Sequence, residues 1–481
     1  MLNKFSYERA ARFLWALTLV TLPVTSFRYF PFMGAGTYVR PLSMYPLAAL
    51  GILLVYGLWR KKITRPRPFP GVFVILIAFL LVALTTIMIG ALYAPVEMRG
   101  QEYWARAIRA LVTVIVGLAF FVVTVWMNQR DEAVRFSVRW LLIGLIVDLA
   151  WSGIQFAALE FGFKSTLSDI QRLFSMRGMV NSRRISGFAF EPSWLAGQLT
   201  TLYLPWLFAA LLTRDRISRW KWLEPALFVA ALGALVMTYS RSGIVFAILA
   251  MGAVFLLTGR EFFAGIWRWF RSGLDQARGL ALRIGVVLIV AAGLIGSGAA
   301  LASREYFSQL WNFQQDNIVD YIVDISAGAR LAYTAGAMHE FNAHPWTGIG
   351  LGASGLYIYD NLPDWALTYV PEISEQLSPE SNLYPNPKNL FARLLAETGL
   401  IGFVLFMLFY LAMLSDALTA LKHWRYVGLA ALLTWIGILF YGVIQDSFTS
   451  PENWINFGMI AGIAGQWMVE SGEKSAERGS V

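Results

Sequence analysis

The sequence predicts an all-α protein that crosses a membrane about twelve times, and three observations carry that prediction. Hydrophobic residues make up 57% of the 481 and charged residues only 14%, more apolar surface than a water-soluble core of this length absorbs. The apolar residues are gathered in runs close to the ~20 residues that cross a bilayer as a helix. The basic residues lie between those runs, mainly on alternate sides.

The runs fall at about 13–30, 40–59, 71–94, 108–128, 137–160, 193–212, 223–239, 243–259, 281–303, 394–414, 426–446 and 453–470. Nine helices are therefore expected within 1–303 and three within 394–470. A large polar segment, 304–393, separates helix nine from helix ten, and 471–481 forms a short tail. Lysine and arginine accumulate on the cytoplasmic side of membrane loops. Here they concentrate in "RKKITRPR" (60–67), "RDRISRWK" (214–221) and 260–283. That pattern places both termini in the cytoplasm and 304–393 outside. The first run has a basic flank in Lys4, Arg9 and Arg12, but "PVTSFRYF" offers no small-residue cleavage site, so a retained helix is expected rather than a signal peptide.

Composition also removes whole classes of function. The net charge of +9 is mostly the orientation signal, and no basic stripe points to nucleic acid. With no cysteine, disulfides, thiolate catalysis and cysteine-ligated metals are excluded. Three histidines (His339, His344, His423) do not make a zinc site, and there is no Asp-x-Asp pair to hold a divalent cation. Neither metal nor cofactor is expected. Duplicated halves, the mark of many transporters, are not visible.

The outer segment is rich in Tyr and Trp, which argues for order, and "DNIVDYIVD" places Asp316, Asp320 and Asp324 on one solvated face of a short helix. The cations on this side are few and individually placed. Arg184 precedes helix six, Arg241 sits at the tip of the tight hairpin "VMTYSRSGIVF", and Arg330 follows helix nine. A guanidinium at headgroup depth must snorkel, pair or meet an anion. Because its fork matches phosphate oxygens bidentately, a lipid-linked phosphate or pyrophosphate fits this trio. Asp148, inside helix five, is costly in a bilayer and is expected to be hydrogen-bonded between helices. Glu397 is expected to pair with Arg393 at i, i+4.

Four stretches, "RISGFAFEPSWLA" (184–196), "TYSRSG" (238–243), "GARLAYTAGAMHEFNAHPWTGIGLG" (328–352) and "KNLFARLLAETGLIG" (388–402), resemble in order and topology the successive motifs of the bacterial O-antigen polymerase and ligase family, the Wzy-like and WaaL-like proteins. The resemblance implies a GT-C-like membrane glycosyltransferase acting on undecaprenyl-pyrophosphate-linked glycan at the periplasmic face of the inner membrane. It implies metal-independent, inverting transfer, with Arg184, Arg241 and Arg330 stabilising charge on the leaving pyrophosphate. Accessory partners would be a flippase and a chain-length co-polymerase.

One departure separates the branches. Where ligases of this family carry His-Asn, this chain has Lys388-Asn389. A lysine, with an ordinary pKa near ~10, cannot act as a base, but it can bind phosphate. The expectation is therefore a polymerase, making an exopolysaccharide or capsule by adding glycan to the end of another lipid-linked glycan. The alternatives are a ligase to lipid A core and a transporter of lipid-linked oligosaccharide. Candidate catalytic groups are Glu191, placed by Pro192 at the positive end of helix six, and His344 in "HPWTGIGLG".

Overall fold

In the computed structural model, the residues described are 4–29, 38–63, 71–179, 183–272, 279–285, 287–288, 292, 296, 299, 303, 305–308, 318–325, 327–377 and 384–479. The helices up to the outer segment are α1 (Lys4–Val20), α2 (Met44–Trp59), α3 (Val72–Gly90), α4 (Tyr103–Met127), α5 (Asp131–Phe161), α6 (Lys164–Phe174), α7 (Pro192–Gln198), α8 (Leu204–Thr213), α9 (Leu223–Met237), α10 (Arg241–Thr258) and α11 (Arg260–Arg271). Residues 304–393 contribute α12 (Glu305–Ser308), α13 (Ile318–Asp324), α14 (Gly328–Ala343), α15 (Asp364–Tyr369) and α16 (Pro371–Leu377). Then come α17 (Leu390–His423), α18 (Arg425–Tyr441) and α19 (Pro451–Gly479). Among the described residues, the strands are a single hairpin of two-residue strands, Glu97–Met98 with Gln101–Glu102.

Six of these units are long and apolar enough to span a bilayer: α3, α4, α5, the continuous Pro192–Thr213 rod, α10 and α17. Three more, α2, α9 and α18, are apolar but shorter. The protein is thus an all-α polytopic membrane protein. Each apolar run read from the sequence forms a helix in whole or part, and in 281–303, much of which lies outside the described residues, those described up to 299 are helical. The first run is displaced: the helix occupies Lys4–Val20, not 13–30. Pro23 supplies no N–H to continue it, and the following residues pair instead with the chain before α2, through Arg40 N–H to Thr25 O (2.8 Å), Phe27 N–H to Arg40 O (2.8 Å) and Leu42 N–H to Val24 O (2.9 Å).

The Pro192–Thr213 rod lies at the centre. Its apolar window is 83% buried within the protein, against 28–44% for the other five spans, which keep a face for lipid. Between α7 and α8 the rod widens into one π turn, Leu199–Tyr203, a distortion frequent near functional sites. Its loosened carbonyls are not left bare, as burial forbids. Asn456 of α19 donates Nδ2 to Thr201 O (2.7 Å) and accepts Trp206 Nε1–H (2.9 Å).

α17 is interrupted near its start by Gly399, whose φ of +63° only glycine adopts freely. The turn after α14 fills the break. Ile349 and Gly350 donate to Ala396 O and Glu397 O (2.9 and 3.0 Å), and Leu400 N–H donates to Pro345 O (2.8 Å). A Cβ on Gly348 would lie 2.6 Å from Ala396 O, so this approach requires glycine. Among the described residues of 304–393, α14, α15 and α16 enclose a small core including Tyr333, Ile358, Ala366 and Ile373. Within "DNIVDYIVD", Asp320 is exposed on α13, whereas Asp316 lies outside the described residues.

Candidate functional site

The C-terminal end of α18 organises the candidate site. Beside its last residue, Tyr441, sits the start of α10: a Cβ on Gly243 would approach the Tyr441 hydroxyl to 2.9 Å and the Ala196 Cβ of α7 to 2.7 Å. Arg241 opens α10 directly after Ser240, the N-cap residue whose hydroxyl accepts the Gly243 N–H at 3.3 Å. The 184–186 stretch is tied to this same tip by Arg184 Nε–H to Thr238 O (2.7 Å) and Ile185 N–H to Met237 O (3.2 Å). Arg330, in the first turn of α14, is exposed and within electrostatic reach of Tyr441.

The backbone at Lys388 also reaches this end. Leu390 N–H donates to Gly442 O (2.7 Å) and Lys388 N–H to Asp446 Oδ2 (3.2 Å), while Asn389 caps α17 by accepting Phe391 and Ala392 N–H. Lys388 and Tyr239 hold left-handed φ values of 58° and 48°, a cost for residues other than glycine that recurs at binding sites. The residues chosen from the sequence thus fall at the end of α18 or the α9–α10 tip beside it, Arg184 and Arg330 by their side chains, Lys388 by its backbone and Arg241 by its place at the start of α10.

Glu191 stands one residue before α7, with Pro192 in the first turn, as expected. Its carboxylate, however, does not pair with Arg184. Oε1 meets Arg177 Nη1 at 3.2 Å and Oε2 accepts the Ser193 hydroxyl at 3.3 Å, and the side chain makes no capping hydrogen bond to the helix backbone. Arg184 is drawn instead to the α9–α10 tip.

His344 lies elsewhere. It ends α14, fourteen residues beyond Arg330, or about 21 Å along the axis at ~1.5 Å per residue. Its ring stacks on Tyr93 (4.7 Å between centroids, 6° between planes), and Tyr93 OH donates to Gly348 O at 2.6 Å. That geometry fixes the turn which fills the α17 break, and it does not bring His344 to the cations. The expected Glu397–Arg393 pair is present at 2.9 Å, and Arg393 Nη1 also donates to Asp446 O at 2.7 Å.

Sequence reasoning missed Asp446, Arg177 and Tyr441. Asp446 sits in the polar tip "QDSFTSPEN" (445–453) between two apolar runs, on the same side as the arginines, and that placement alone could have marked it.

The turn-side half of α14 carries a buried carboxylic acid. Glu340 of α14 is 3% exposed. It is near the Ser354 hydroxyl, yet neither carboxylate oxygen makes a hydrogen bond of ordinary geometry. Burial, reinforced by the charge of Glu397, pushes its pKa up to about 9. The folded protein therefore keeps a proton that the unfolded chain releases above its ordinary value of 4.5. This group's contribution to stability is complete below about pH 4.5 and is lost as pH rises toward about 9, by up to ~1.4 kcal/mol per pH unit. Glu340→Gln should flatten that slope, so that its advantage in Tm over the wild type grows from pH 5 to pH 8. Parallel Tm profiles in detergent would show that Glu340 is ionised when folded.

Compared with known proteins, residues 226–407 match the family model described as O-antigen ligase. No curated protein matches the chain. The matched stretch includes Arg241, Arg330, His344 and Lys388 and leaves Arg184 and Glu191 outside. Through residues 226–407 this multi-pass membrane protein carries a domain of the O-antigen polymerase and ligase family, whose members are membrane glycosyltransferase-like enzymes, and the match does not separate the two branches.

Proposed function

We propose that the protein polymerises lipid-linked polysaccharide repeat units in the bacterial inner membrane, with its site on the periplasmic face. It would transfer glycan from undecaprenyl pyrophosphate to the end of another lipid-linked glycan. The observation that carries this reading is the placement of Arg184, Arg241, Arg330 and Lys388 at the end of α18 or the α9–α10 tip beside it. Such a cluster suits the two phosphates of a lipid diphosphate in a setting where water screens poorly.

In the reaction, an acceptor hydroxyl oxygen bonds to the anomeric carbon from the face opposite the pyrophosphate. The bond from that carbon to the pyrophosphate oxygen breaks, with inversion. The electron pair leaves on pyrophosphate, where the cations stabilise it, and the hydroxyl proton passes to a base. Glu191 is the carboxylate offered for that step, its exposure leaving it open to an incoming sugar. Lys388, standing where the family's ligases carry histidine, favours polymerase over ligase. A flippase and a chain-length co-polymerase would be its partners.

The description of the matched family model keeps a ligase as the second reading, and one assay separates the two. Purified protein in EDTA, supplied only with lipid-linked repeat units and no ion gradient, should produce a ladder of longer lipid-linked glycans. Transfer that requires added lipid A core would make it a ligase. Movement of the lipid across vesicles without new glycosidic bonds would make it a transporter.

A further inference from the structure

We infer that Asp148 and Gln155, buried on one face of α5, are positioning residues that hold the 185–190 stretch so that Arg184 and Glu191, at its two ends, stay in fixed relation. The inference deepens the proposed function and rests on it for its catalytic half.

The two side chains are seven residues apart, two turns on one helix face, and are 1% and 0% exposed. Gln155 reads three backbone groups of the loop: Oε1 accepts Ser186 N–H (3.0 Å) and Gly187 N–H (2.8 Å), and Nε2 donates to Gly187 O (2.9 Å). Asp148 Oδ1 accepts Phe188 N–H at 2.9 Å. Around them, Gln155 Nε2 also donates to Gln171 Oε1 (2.8 Å), the Thr25 hydroxyl accepts Phe190 N–H (3.0 Å), and the Trp151 ring stacks on Phe188 at 5.3 Å. Gly187 makes the approach possible: at φ +57° an added Cβ would come within 2.3 Å of Asp148 Oδ1.

A carboxyl and an amide inside an apolar span carry a desolvation cost that a lipid-facing helix avoids. Here they meet backbone groups of a stretch with no ladder of its own, since 183–191 contains neither helix nor strand. The same stretch is bonded at Arg184 and Ile185 to the α9–α10 tip that ends in Arg241. Fixing it from α5 therefore sets Arg184, Arg241 and Glu191 against one another. Displacing a reacting or charge-stabilising group by ~1 Å can cost on the order of 10²-fold in rate.

The test pairs turnover with amide hydrogen exchange of the 183–190 peptide in purified protein. Gln155→Leu should accelerate exchange at Ser186 and Gly187 and lower kcat for glycan extension by roughly 10–100-fold, with KM for the lipid-linked donor changed much less. Asp148→Asn keeps an acceptor for Phe188 N–H and should stay close to wild type in both readouts. Should Gln155→Leu fail to fold, Gln155→Glu retains the acceptor and loses the donor, and should fall between the other two. Unchanged exchange in the Gln155 variant overturns the clamp. Faster exchange with undiminished kcat overturns the positioning role. A wild type that transfers no glycan overturns the proposed function, and the exchange contrast still decides whether α5 holds the loop.

Discussion

Arg330→Lys should leave the protein folded and inserted while lowering glycan transfer on the order of 10²-fold or more, the scale of one lost charge-assisted contact that strengthens in the transition state. Arg330 is exposed in the first turn of α14 and makes no ion pair among the described residues, so folding draws little from its charge. Lysine preserves that charge as a point, but not the paired, coplanar donors that meet two phosphate oxygens at once. Binding of undecaprenyl pyrophosphate, measured separately, should weaken less than turnover, because the negative charge to be met is greatest on the departing group. A lysine variant with full activity would mean that Arg330 serves only the outer surface, and the anion site would then be Arg184, Arg241 and Lys388 alone.

The spans were legible because a bilayer imposes one simple requirement, about 20 apolar residues in succession, which hydropathy measures directly. The start of the first helix was not, since Lys4, Arg9 and Arg12 look like a flank, yet they lie within the helix that Pro23 keeps from extending forward. The place of Arg241 at a helix tip was legible for a topological reason: only a few residues join two apolar helices there. Its company was not. Arg184 meets Thr238 O across 54 residues, and Lys388 meets Asp446 across 58, and contacts over such separations leave no local periodicity to read. The partner of Glu191 was not legible for a related reason. Arg184 is nearer in sequence than Arg177, but the 185–188 backbone is bonded to α5 and to the α9–α10 tip, and the Arg184 side chain meets Thr238 O at that tip while the carboxylate meets Arg177. The glycines of "HPWTGIGLG" did announce a tight turn, and Gly348, Gly350 and Gly352 all have positive φ. That the turn repairs a broken helix some fifty residues later could not be seen before the two were placed together.

Glu191→Gln should give a folded protein that binds lipid-linked glycan nearly as the wild type does and transfers little of it. The substitution keeps the shape of the side chain and one acceptor oxygen. It removes the ion pair with Arg177, whose partners are 40% and 39% exposed, and pairs so open to solvent contribute about 0–1 kcal/mol. Nor is a helix cap lost, because the Glu191 side chain makes no capping hydrogen bond. What the amide cannot do is accept a proton, and removing a general base lowers rates by roughly 10²–10⁴-fold. Arg177→Gln is the necessary companion: it breaks the same ion pair but leaves the carboxylate, so it should retain far more activity if the pair only orients Glu191. Equal losses in both variants would make the ion pair, not proton acceptance, the contribution of this position. Near wild-type transfer by Glu191→Gln would remove Glu191 from the chemistry. His344 would not take its place, being stacked on Tyr93 at the far end of α14. A carboxylate beside the cations is then Asp446, whose Oδ2 already accepts the Lys388 N–H, and Asp446→Asn would be the variant in which transfer is abolished.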